Sequence, residues 1–336
     1  MKNTVTMEDI AKEIGVSIVT VSKAISGKEG VSDKVRADIL ECAERMGYQY
    51  SKVSNLPKRT GRNYNIGVVI PERFVCDDTF YNRLYKDLVL RIGEKGHYTM
   101  IEIIPEENEH NLLLPNVIVN KKVDAVIVFG QMSETYVEKM RESGLSLLLF
   151  DFYLYNSTYD CVVSDSVFGS WLLTKYLIDR GHREIGFVGS IDMTTSIMDR
   201  YLGYMKAMLE AKIDIEKQWV MEDRDSAGRY IEIKLPDKMP SAFVCNCDEV
   251  AFLLIKRLKH MGYRVPEDIS VVGFDNDFHA QLSSPQITSF GIDVKSMVKI
   301  AADAIVKKIE NPQYRIGRQV VSGKIYERKS VKNLLT

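Results

Sequence analysis

The 336-residue sequence predicts a small all-α helix-turn-helix head followed by an α/β two-lobed domain with parallel sheets. Three observations predict this fold class. Three short helical patterns occupy the first fifty residues, a basic segment punctuated by Pro and Gly follows them, and two series of alternating strands and helices begin near Asn65. The length agrees with several domains, because a single hydrophobic core rarely grows beyond about 250–300 residues.

The composition is that of an ordinary globular protein, with 45% hydrophobic and 27% charged residues. Residues 1–65 are mildly basic, with 11 Lys or Arg against 8 Asp or Glu, although the whole chain has a formal net charge of -1. The start of the sequence lacks the apolar run of a signal peptide, and no stretch approaches the ~20 apolar residues that cross a bilayer. We therefore expect a cytoplasmic protein with no membrane partner.

The five cysteines are odd in number and scattered, and only Cys245 and Cys247 lie close together in the sequence. One C-x-C pair without a second pair of ligands is poor evidence for a metal site. We expect buried, reduced thiols, and we expect neither a metal nor a cofactor.

The head is predicted from helix-capping residues. The hydroxyl of Thr6 can form a capping box with Asp9, Gly15 interrupts this first helix, and Ser17 and Ser32 offer N-caps for a second and a third helix. Two short helices with a third that buries their apolar faces are the plan of a helix-turn-helix, which lays its second helix in the DNA major groove. Patterning alone leaves open a small helical subdomain with no role in DNA binding.

An ordered run of motif residues decides between these readings. It comprises Val5-Thr6-Met7-Glu8-Asp9-Ile10-Ala11, Gly15-Val16-Ser17, Thr20-Val21-Ser22-Lys23, Val31-Ser32 and Met46-Gly47-Tyr48. The run resembles the DNA-binding head of the lactose-repressor/galactose-repressor (LacI/GalR) family of transcriptional regulators. The resemblance implies sequence-specific binding to double-stranded operator DNA.

The same resemblance implies two kinds of DNA contact. Hydroxyl groups of the head would touch phosphates, which fixes register without reading sequence. These residues are Thr6, Ser17, Thr20, Ser22, Ser26 and Ser32. Ile18, Val19 and Lys23 would face base edges, and Lys23 stands where many relatives carry arginine. Burial inside the head is the alternative for Ile18 and Val19.

Residues 51–64 form the predicted linker. In the family a hinge helix orders here on DNA and its leucine wedges into the minor groove, so the resemblance assigns the wedge to Leu56. This chain departs from the family pattern: Tyr50 replaces a usual proline, Val53 and Leu56 are one residue too close, and Pro57 disfavours helix just before it. A solvated basic linker without a hinge helix stays the alternative.

Strands and helices alternate from Asn65 onward. Predicted strands occupy 66–70, 98–104, 125–129 and 145–150 in a first series, and 185–188, 242–245 and 270–274 in a second. Predicted helices occupy 80–95, 168–180, 200–211, 249–261 and 294–309. Two successive parallel-sheet lobes predict a cleft between them, and such sheets bind ligands beyond the carboxyl ends of their strands.

Several motifs in this part resemble the effector domain of the same family, which is built like a periplasmic sugar-binding protein. They are Arg180-Gly181-His182-Arg183, Asp199-Arg200-Tyr201, Gly203-Tyr204, Asp248-Glu249 and the long run from Gly262 to Asp275. The resemblance implies that the chain crosses between lobes near 161, 291 and 320. The expected divisions are a head at 1–50, a linker at 51–64, a first lobe at 65–161 and 291–319, and a second lobe at 162–290 and 320–331.

The resemblance places the effector between the lobes. Phe80 and Tyr81 would form an aromatic wall, Asp151, Arg200 and Asp275 would exchange hydrogen bonds with the ligand, and Asp248 would lie close by. Such a set suits a sugar, because carboxylates and a guanidinium bracket hydroxyl pairs while a ring covers an apolar face. The alternatives are that Arg200 pairs with Asp199 or Asp225, that Asp275 only caps a turn, and that Phe80 is core.

The sequence therefore predicts a homodimeric repressor of carbohydrate-utilisation genes, controlled by a small-molecule effector, most simply a sugar. A dimer is expected because the chain ends soon after Tyr326, without the leucine-rich tail that some relatives use to tetramerise. An enzyme is not expected: no G-x-G-x-x-G follows a predicted strand, and there is neither a P-loop nor a nucleophile with its base. An exported sugar binder is disfavoured by the DNA-binding head.

Overall fold

The structure, a computed structural model, describes residues 5–25, 27–46, 48, 62–75, 80–155 and 159–335. The chain divides into two compact units, Met1–Gly61 and Arg62–Thr336. Within the described ranges no helix is long and apolar enough to cross a membrane. The same ranges contain no group of three or more His, Cys, Asp or Glu that could hold a metal ion.

The first unit contains the three predicted helices: α1 (Met7–Ile14), α2 (Ile18–Ile25) and α3 (Asp33–Arg45). Their N-termini are capped by the predicted hydroxyls. Thr6 and Asp9 form the capping box of α1, the Ser17 hydroxyl accepts the amide of Thr20, and the Ser32 hydroxyl caps α3. A small apolar core joins the helices through Ile10, Ala11, Val21, Ala24, Ile39, Cys42 and Ala43.

The second unit contains two six-stranded sheets. The first sheet is parallel throughout. Its spatial order is β11 (Arg318–Val321), β5 (Cys161–Ser164), β4 (Ser146–Phe150), β3 (Ala125–Phe129), β1 (Asn65–Pro71) and β2 (Tyr98–Ile104). The order of the second sheet is β12 (Gly323–Tyr326), β10 (Thr288–Ile292), β9 (Ser270–Phe274), β8 (Ala242–Cys245), β6 (Ile185–Val188) and β7 (Val220–Met221). Only β12 runs antiparallel to its neighbour among these strands.

Helices cover both sheets. The first lobe carries α4 (Phe80–Glu94), α5 (Glu106–His110), α6 (Asn116–Val119), α7 (Glu134–Arg141) and α12 (Val294–Glu310). The second lobe carries α8 (Ser166–Ile178), α9 (Thr195–Glu210), α10 (Asp248–His260) and α11 (Phe278–Leu282). The strands β1, β3 and β9 are continuous apolar runs because they are buried on both faces.

The chain passes between the two sheets three times. The passages follow β5, β10 and β11, where residues 165, 293 and 322 separate an element of one lobe from an element of the other. They lie within a few residues of the crossings that the sequence predicts. Because α12 returns to the first lobe, each lobe is built from discontinuous segments.

One helix boundary differs from the sequence prediction in a way that matters for the site. The helix predicted at 200–211 begins at Thr195, because the hydroxyl of Thr194 accepts the amide of Ile197 and caps the helix there. Arg200 therefore lies in the second turn of α9 and not at its start. Its side chain is buried, with only 6% exposed.

Candidate DNA-contacting helix and inter-lobe cavity

The two apolar residues at the start of α2 face solvent. Ile18 is 48% exposed and Val19 is 64% exposed, whereas Val21 and Ala24 of the same helix are buried in the core of the head. Lys23 is also exposed. The alternative that Ile18 and Val19 are core residues therefore fails, and the exposed face of α2 carries all three residues expected to face bases.

The predicted phosphate-contacting hydroxyls already have local roles. The Thr6 hydroxyl donates to Asp9 over 2.7 Å, and the hydroxyl oxygens of Ser17 and Thr20 lie 2.8 Å apart. Ser22 and Ser32 are exposed. Of the remaining predicted contacts, Ser26 and Leu56 lie outside the described residues, as do positions 51–61 of the predicted linker.

Arg36 supports the second helix, a role that the sequence pattern does not reveal. Its guanidinium, carried by α3, donates to the carbonyl oxygen of Ala24 over 2.8 Å and to that of Lys28 over 2.7 Å. A longer contact of 3.3 Å reaches the carbonyl of Lys23. Arg36 thus adds a side-chain donor to carbonyl groups at and just after the end of α2, where the amides of Gly27 and Lys28 also donate to Ala24 and Lys23.

A cavity lies between the two lobes of the second unit, at the carboxyl ends of the parallel strands. From the first lobe it is lined by Arg73, Phe74, Phe80, Tyr81 and Asp151. From the second lobe its lining includes Thr194, Arg200, Arg224, Tyr230, Asn246, Cys247, Glu249, Asp275 and Asp277. Five of the six side chains predicted for the effector site therefore meet here, although their positions span nearly two hundred residues of the chain.

Arg200 links three parts of the second lobe. Its Nη2 donates to Oδ1 of Asp275 over 3.0 Å and its Nη1 donates to the carbonyl oxygen of Asn246 over 2.5 Å. The guanidinium carbon lies 4.0 Å from the centre of the Phe274 ring. The alternative pairings fail, because the carboxylate of Asp199 is engaged by Arg318 and that of Asp225 by Arg229.

Asp151 and Asp275 are the buried acids of the cavity. The Tyr81 hydroxyl donates to Oδ2 of Asp151 over 2.9 Å, whereas Oδ1 is buried without a partner. Burial raises the pKa of Asp151 to about 7 and that of Asp275 to about 6, against the opposing charge of Arg200. Both residues have left-handed backbones, with φ of 68° and 95°, a strained conformation that clusters at functional sites.

Phe80 and Asp248 do not serve only as the effector contacts that the sequence predicts. Phe80 is buried in the core of the first lobe and also lines the cavity, so it belongs to both. Asp248 does not line the cavity: it is fully buried, and its Oδ2 accepts the amide of Asp277 and the hydroxyl of Ser289. Gly273 leaves room for this carboxylate, since a Cβ there would lie 2.1 Å from Oδ1. Asp248 therefore positions the loop after β9 and is no direct ligand in this arrangement.

Sequence reasoning missed several lining residues. Arg73 and Phe74 directly follow β1, so the rule that ligands bind at strand ends would have found them. Arg224 and Tyr230 belong to an irregular segment between β7 and β8, where no periodicity marks them. Cys247 lines the cavity, and burial raises the pKa of its thiol well above the ordinary value.

Comparisons with known proteins agree with both units. Residues 6–51 match the lacI family of bacterial regulatory proteins, and residues 174–331 match a periplasmic binding protein-like domain. The HTH-type transcriptional repressor PurR of Histophilus somni (strain 129Pt) is 28% identical, over 98% of this chain and 99% of that protein.

Two solved structures share the fold. A transcriptional regulator CelR–cellobiose complex has a TM-score of 0.71 at 21% identity, covering 97% of this chain and 99% of the other. The lac repressor dimer bound to operator and the anti-inducer ONPF has a TM-score of 0.68 at 18% identity, with coverage of 98% and 99%. The chain belongs to the LacI family of bacterial regulatory proteins and is a DNA-binding transcriptional repressor, not an enzyme.

Proposed function

We propose that this repressor is controlled by a sugar-like effector bound in the inter-lobe cavity, and that it regulates carbohydrate-utilisation genes. The observation that carries the proposal is the convergence of Arg200, Asp275 and Asp151 on a cavity with aromatic walls. Carboxylates accept from hydroxyl groups and a guanidinium donates to them, while Tyr81 and Phe74, whose ring centres lie 4.8 Å apart, offer an apolar face. A relative of the same fold in complex with cellobiose supports a sugar.

A purine-related effector is the second candidate. The PurR relatives favour it, and the aromatic side chains of Phe74, Tyr81 and Tyr230 offer flat surfaces on which a planar base can stack. The two candidates differ in how many hydroxyl groups reach Asp151 and Asp275. They therefore call for a direct binding comparison.

For the head, the proposed phosphate contacts are Thr6, Ser17, Thr20, Ser22, Ser26 and Ser32, and the proposed base contacts are Ile18, Val19 and Lys23. The exposure of all three base-contacting residues supports the second set. Leu56 is proposed as a minor-groove wedge on the family resemblance alone.

We also propose that the chain acts as a homodimer. The edge strand β2 exposes a row of apolar side chains, including Tyr98 at 62%, Ile101 at 44% and Ile103 at 49%. An apolar edge strand is a template for association unless another chain covers it. Sedimentation equilibrium of the purified chain tests this, and a monomer at micromolar concentration would contradict it.

The effector proposal is tested by thermal melting of the full chain against neutral monosaccharides, disaccharides, purine bases and nucleosides, with Arg200→Ala as the comparison. A ligand at 100 times its Kd adds about 2.7 kcal/mol to the free energy of unfolding. We expect a shift with sugars that Arg200→Ala abolishes. A shift with purines alone would replace the sugar, and a shift that survives Arg200→Ala would remove the effector from this cavity.

A further inference from the structure

We infer that the inter-lobe cavity accepts an uncharged effector and rejects the phosphorylated form of the same molecule. The inference rests on the proposed effector site and narrows its ligand. Three guanidinium groups line the cavity, which at first suggests a site for an anion. The contacts of those three groups indicate instead that the cavity does not bind an anion.

Each cavity guanidinium already has a carboxylate partner. Arg200 pairs with Asp275 over 3.0 Å, and Arg73 pairs with Glu109 over 2.9 Å. The third, Arg224, pairs with Asp223 over 2.9 Å, and that carboxylate is fully buried. A phosphate placed here would therefore meet cations whose charge is balanced, and it would have to compete with carboxylates that are held in place.

The lining contains three further carboxyl groups. Asp151, Glu249 and Asp277 are cavity residues with no cationic Lys or Arg partner among the described ion pairs, although Asp277 contacts His279. Glu249 accepts the hydroxyl of Tyr230 over 3.0 Å. Once the guanidinium groups are balanced, the carboxylates of Glu249 and Asp277 leave the cavity with excess negative charge, which disfavours an anionic ligand, and any ionised Asp151 adds to it.

The helix N-termini at the cavity, a kind of site that often holds phosphates, also disfavour an anion here. At the start of α9 the amide of Ile197 is taken by the hydroxyl of Thr194 over 3.1 Å, and the amide of Thr195 by Oε1 of Gln131 over 3.1 Å. The first turn of α10 carries Glu249, whose negative charge already complements its dipole. Two amides at the start of α9 are therefore already paired, and the acid at the start of α10 opposes the binding of an anion there.

The cavity does offer an acceptor to a neutral donor. Oδ1 of Asp151 is buried without a partner, and Nε of Arg200 is likewise unpaired. A hydroxyl group that donates to the first, or one that accepts from the second, would satisfy a buried atom that otherwise lacks a partner. An uncharged polyol would therefore gain hydrogen bonds in this cavity, whereas a phosphate would be repelled by its carboxylates.

The test measures binding of matched pairs by calorimetry and thermal shift: glucose and glucose 6-phosphate, ribose and ribose 5-phosphate, inosine and inosine monophosphate. For any pair that binds we expect the neutral member to bind on the order of 100-fold more tightly. Equal or tighter binding of a phosphorylated member, lost in Arg200→Ala, would overturn the inference while leaving the effector site intact. Binding by no compound, extended to a mixture of neutral and phosphorylated sugars and nucleosides analysed by native mass spectrometry, would contradict the proposed effector site itself.

A variant that lacks one cavity carboxylate distinguishes electrostatic repulsion of a phosphate from its steric exclusion. Glu249→Gln removes one carboxylate at nearly constant size, so the preference for the neutral member should fall by about tenfold. The control is Asp237→Asn, which changes an exposed carboxylate outside the cavity lining and should leave the preference unaltered. An unchanged preference in both variants would mean that steric exclusion, and not charge, rejects phosphate.

Discussion

Asp199 of α9 accepts a hydrogen bond from the hydroxyl of Tyr153 over 2.8 Å, and this contact joins the two lobes of the second unit. The same carboxylate accepts from Nη2 of Arg318 over 3.2 Å, and the Arg318 guanidinium lies 3.8 Å from the centre of the Tyr153 ring. Asp199 directly precedes Arg200, which lines the cavity. One turn of helix thus carries both a contact to the other lobe and a residue that lines the cavity.

Removing the hydroxyl of Tyr153 should weaken the coupling between effector and operator. Tyr153→Phe deletes a hydrogen bond to a charged acceptor, which is worth about 1 kcal/mol or more, so the effector concentration at half response should change at least about fivefold. Operator affinity measured by fluorescence anisotropy across an effector titration checks this. Tyr314→Phe, which changes a tyrosine outside both the cavity lining and β2, is the control, and an equal response in both variants would exclude a coupling role.

The buried acid Asp151 should make stability depend on pH. Its pKa is about 7 in the folded protein against an ordinary value of 3.8, so the folded state holds the proton more tightly and is favoured below pH 7. The free energy of unfolding should therefore fall as pH rises from 5 to 8, by about 3 kcal/mol from this group. Urea unfolding at both pH values measures it, and Asp151→Asn should remove most of the decline. A decline that Asp151→Asn leaves intact would assign it to other groups.

The sequence predicts the strands and helices whose signal is local. Continuous apolar runs identify β1, β3 and β9 because both faces of these strands are buried, and capping hydroxyls identify the helices of the head. By contrast β7, β11 and β12 have two to four residues each, and their existence depends on pairing with distant strands. The four-residue strands β6 and β8 are predictable because all their residues are apolar or Gly and buried, whereas β11 and β12 are mostly exposed and mix polar with apolar residues, so no apolar run marks them.

The cavity residues also divide into those that the sequence predicts and those that only the fold reveals. Arg200 and Asp275 stand in motifs that resemble the family, so the sequence predicts both, although 75 positions separate them. Arg224 and Tyr230 come from an irregular segment, and Arg318 opens a short strand, so only the folded chain reveals their contacts. Asp248 matches the family motif equally well, yet its carboxylate is buried outside the cavity lining. The sequence motif could not predict this, because burial of a side chain depends on tertiary packing.

Arg36 should determine the stability of the head. Arg36→Ala deletes the hydrogen bonds to the carbonyl groups of Ala24 and Lys28 and should cost about 1–3 kcal/mol. Hydrogen exchange of the α2 amides in the full chain measures the loss. Arg45→Ala is a matched control, because the ion pair of Arg45 with Glu13 is exposed and should contribute under about 1 kcal/mol. Equal protection of α2 in both variants would show that Arg36 does not hold the helix.

Lys23 should contribute to sequence recognition. If it donates to a base, Lys23→Ala should weaken operator binding about tenfold or more while binding to random DNA falls only slightly. The control is Lys34→Ala, which removes an exposed charge from α3 and should lower both affinities by a similar small factor. Electrophoretic mobility shifts on operator and scrambled duplexes give both values. Equal losses on the two duplexes for Lys23→Ala would make Lys23 a phosphate contact.

Gly203 allows the close approach of α8 and α9. A Cβ at this position would lie 2.1 Å from the carbonyl oxygen of Val167 and 2.9 Å from the amide nitrogen of Trp171, and backbone atoms cannot yield as a flexible side chain can. Gly203→Ala should therefore push the helices apart and lower the free energy of unfolding by more than about 2 kcal/mol.

A helical glycine with open space provides the comparison for Gly203. A Cβ at Gly93 in α4 would meet nothing within 4 Å, so Gly93→Ala should raise stability by up to about 1 kcal/mol through helix propensity. Because α9 also carries Asp199 and Arg200, Gly203→Ala should in addition weaken effector binding, whereas Gly93→Ala should not. Urea unfolding and effector titration of both variants decide the matter. A Gly203→Ala protein as stable as Gly93→Ala would show that the helices can separate without cost, and that the position of Arg200 does not depend on their close packing.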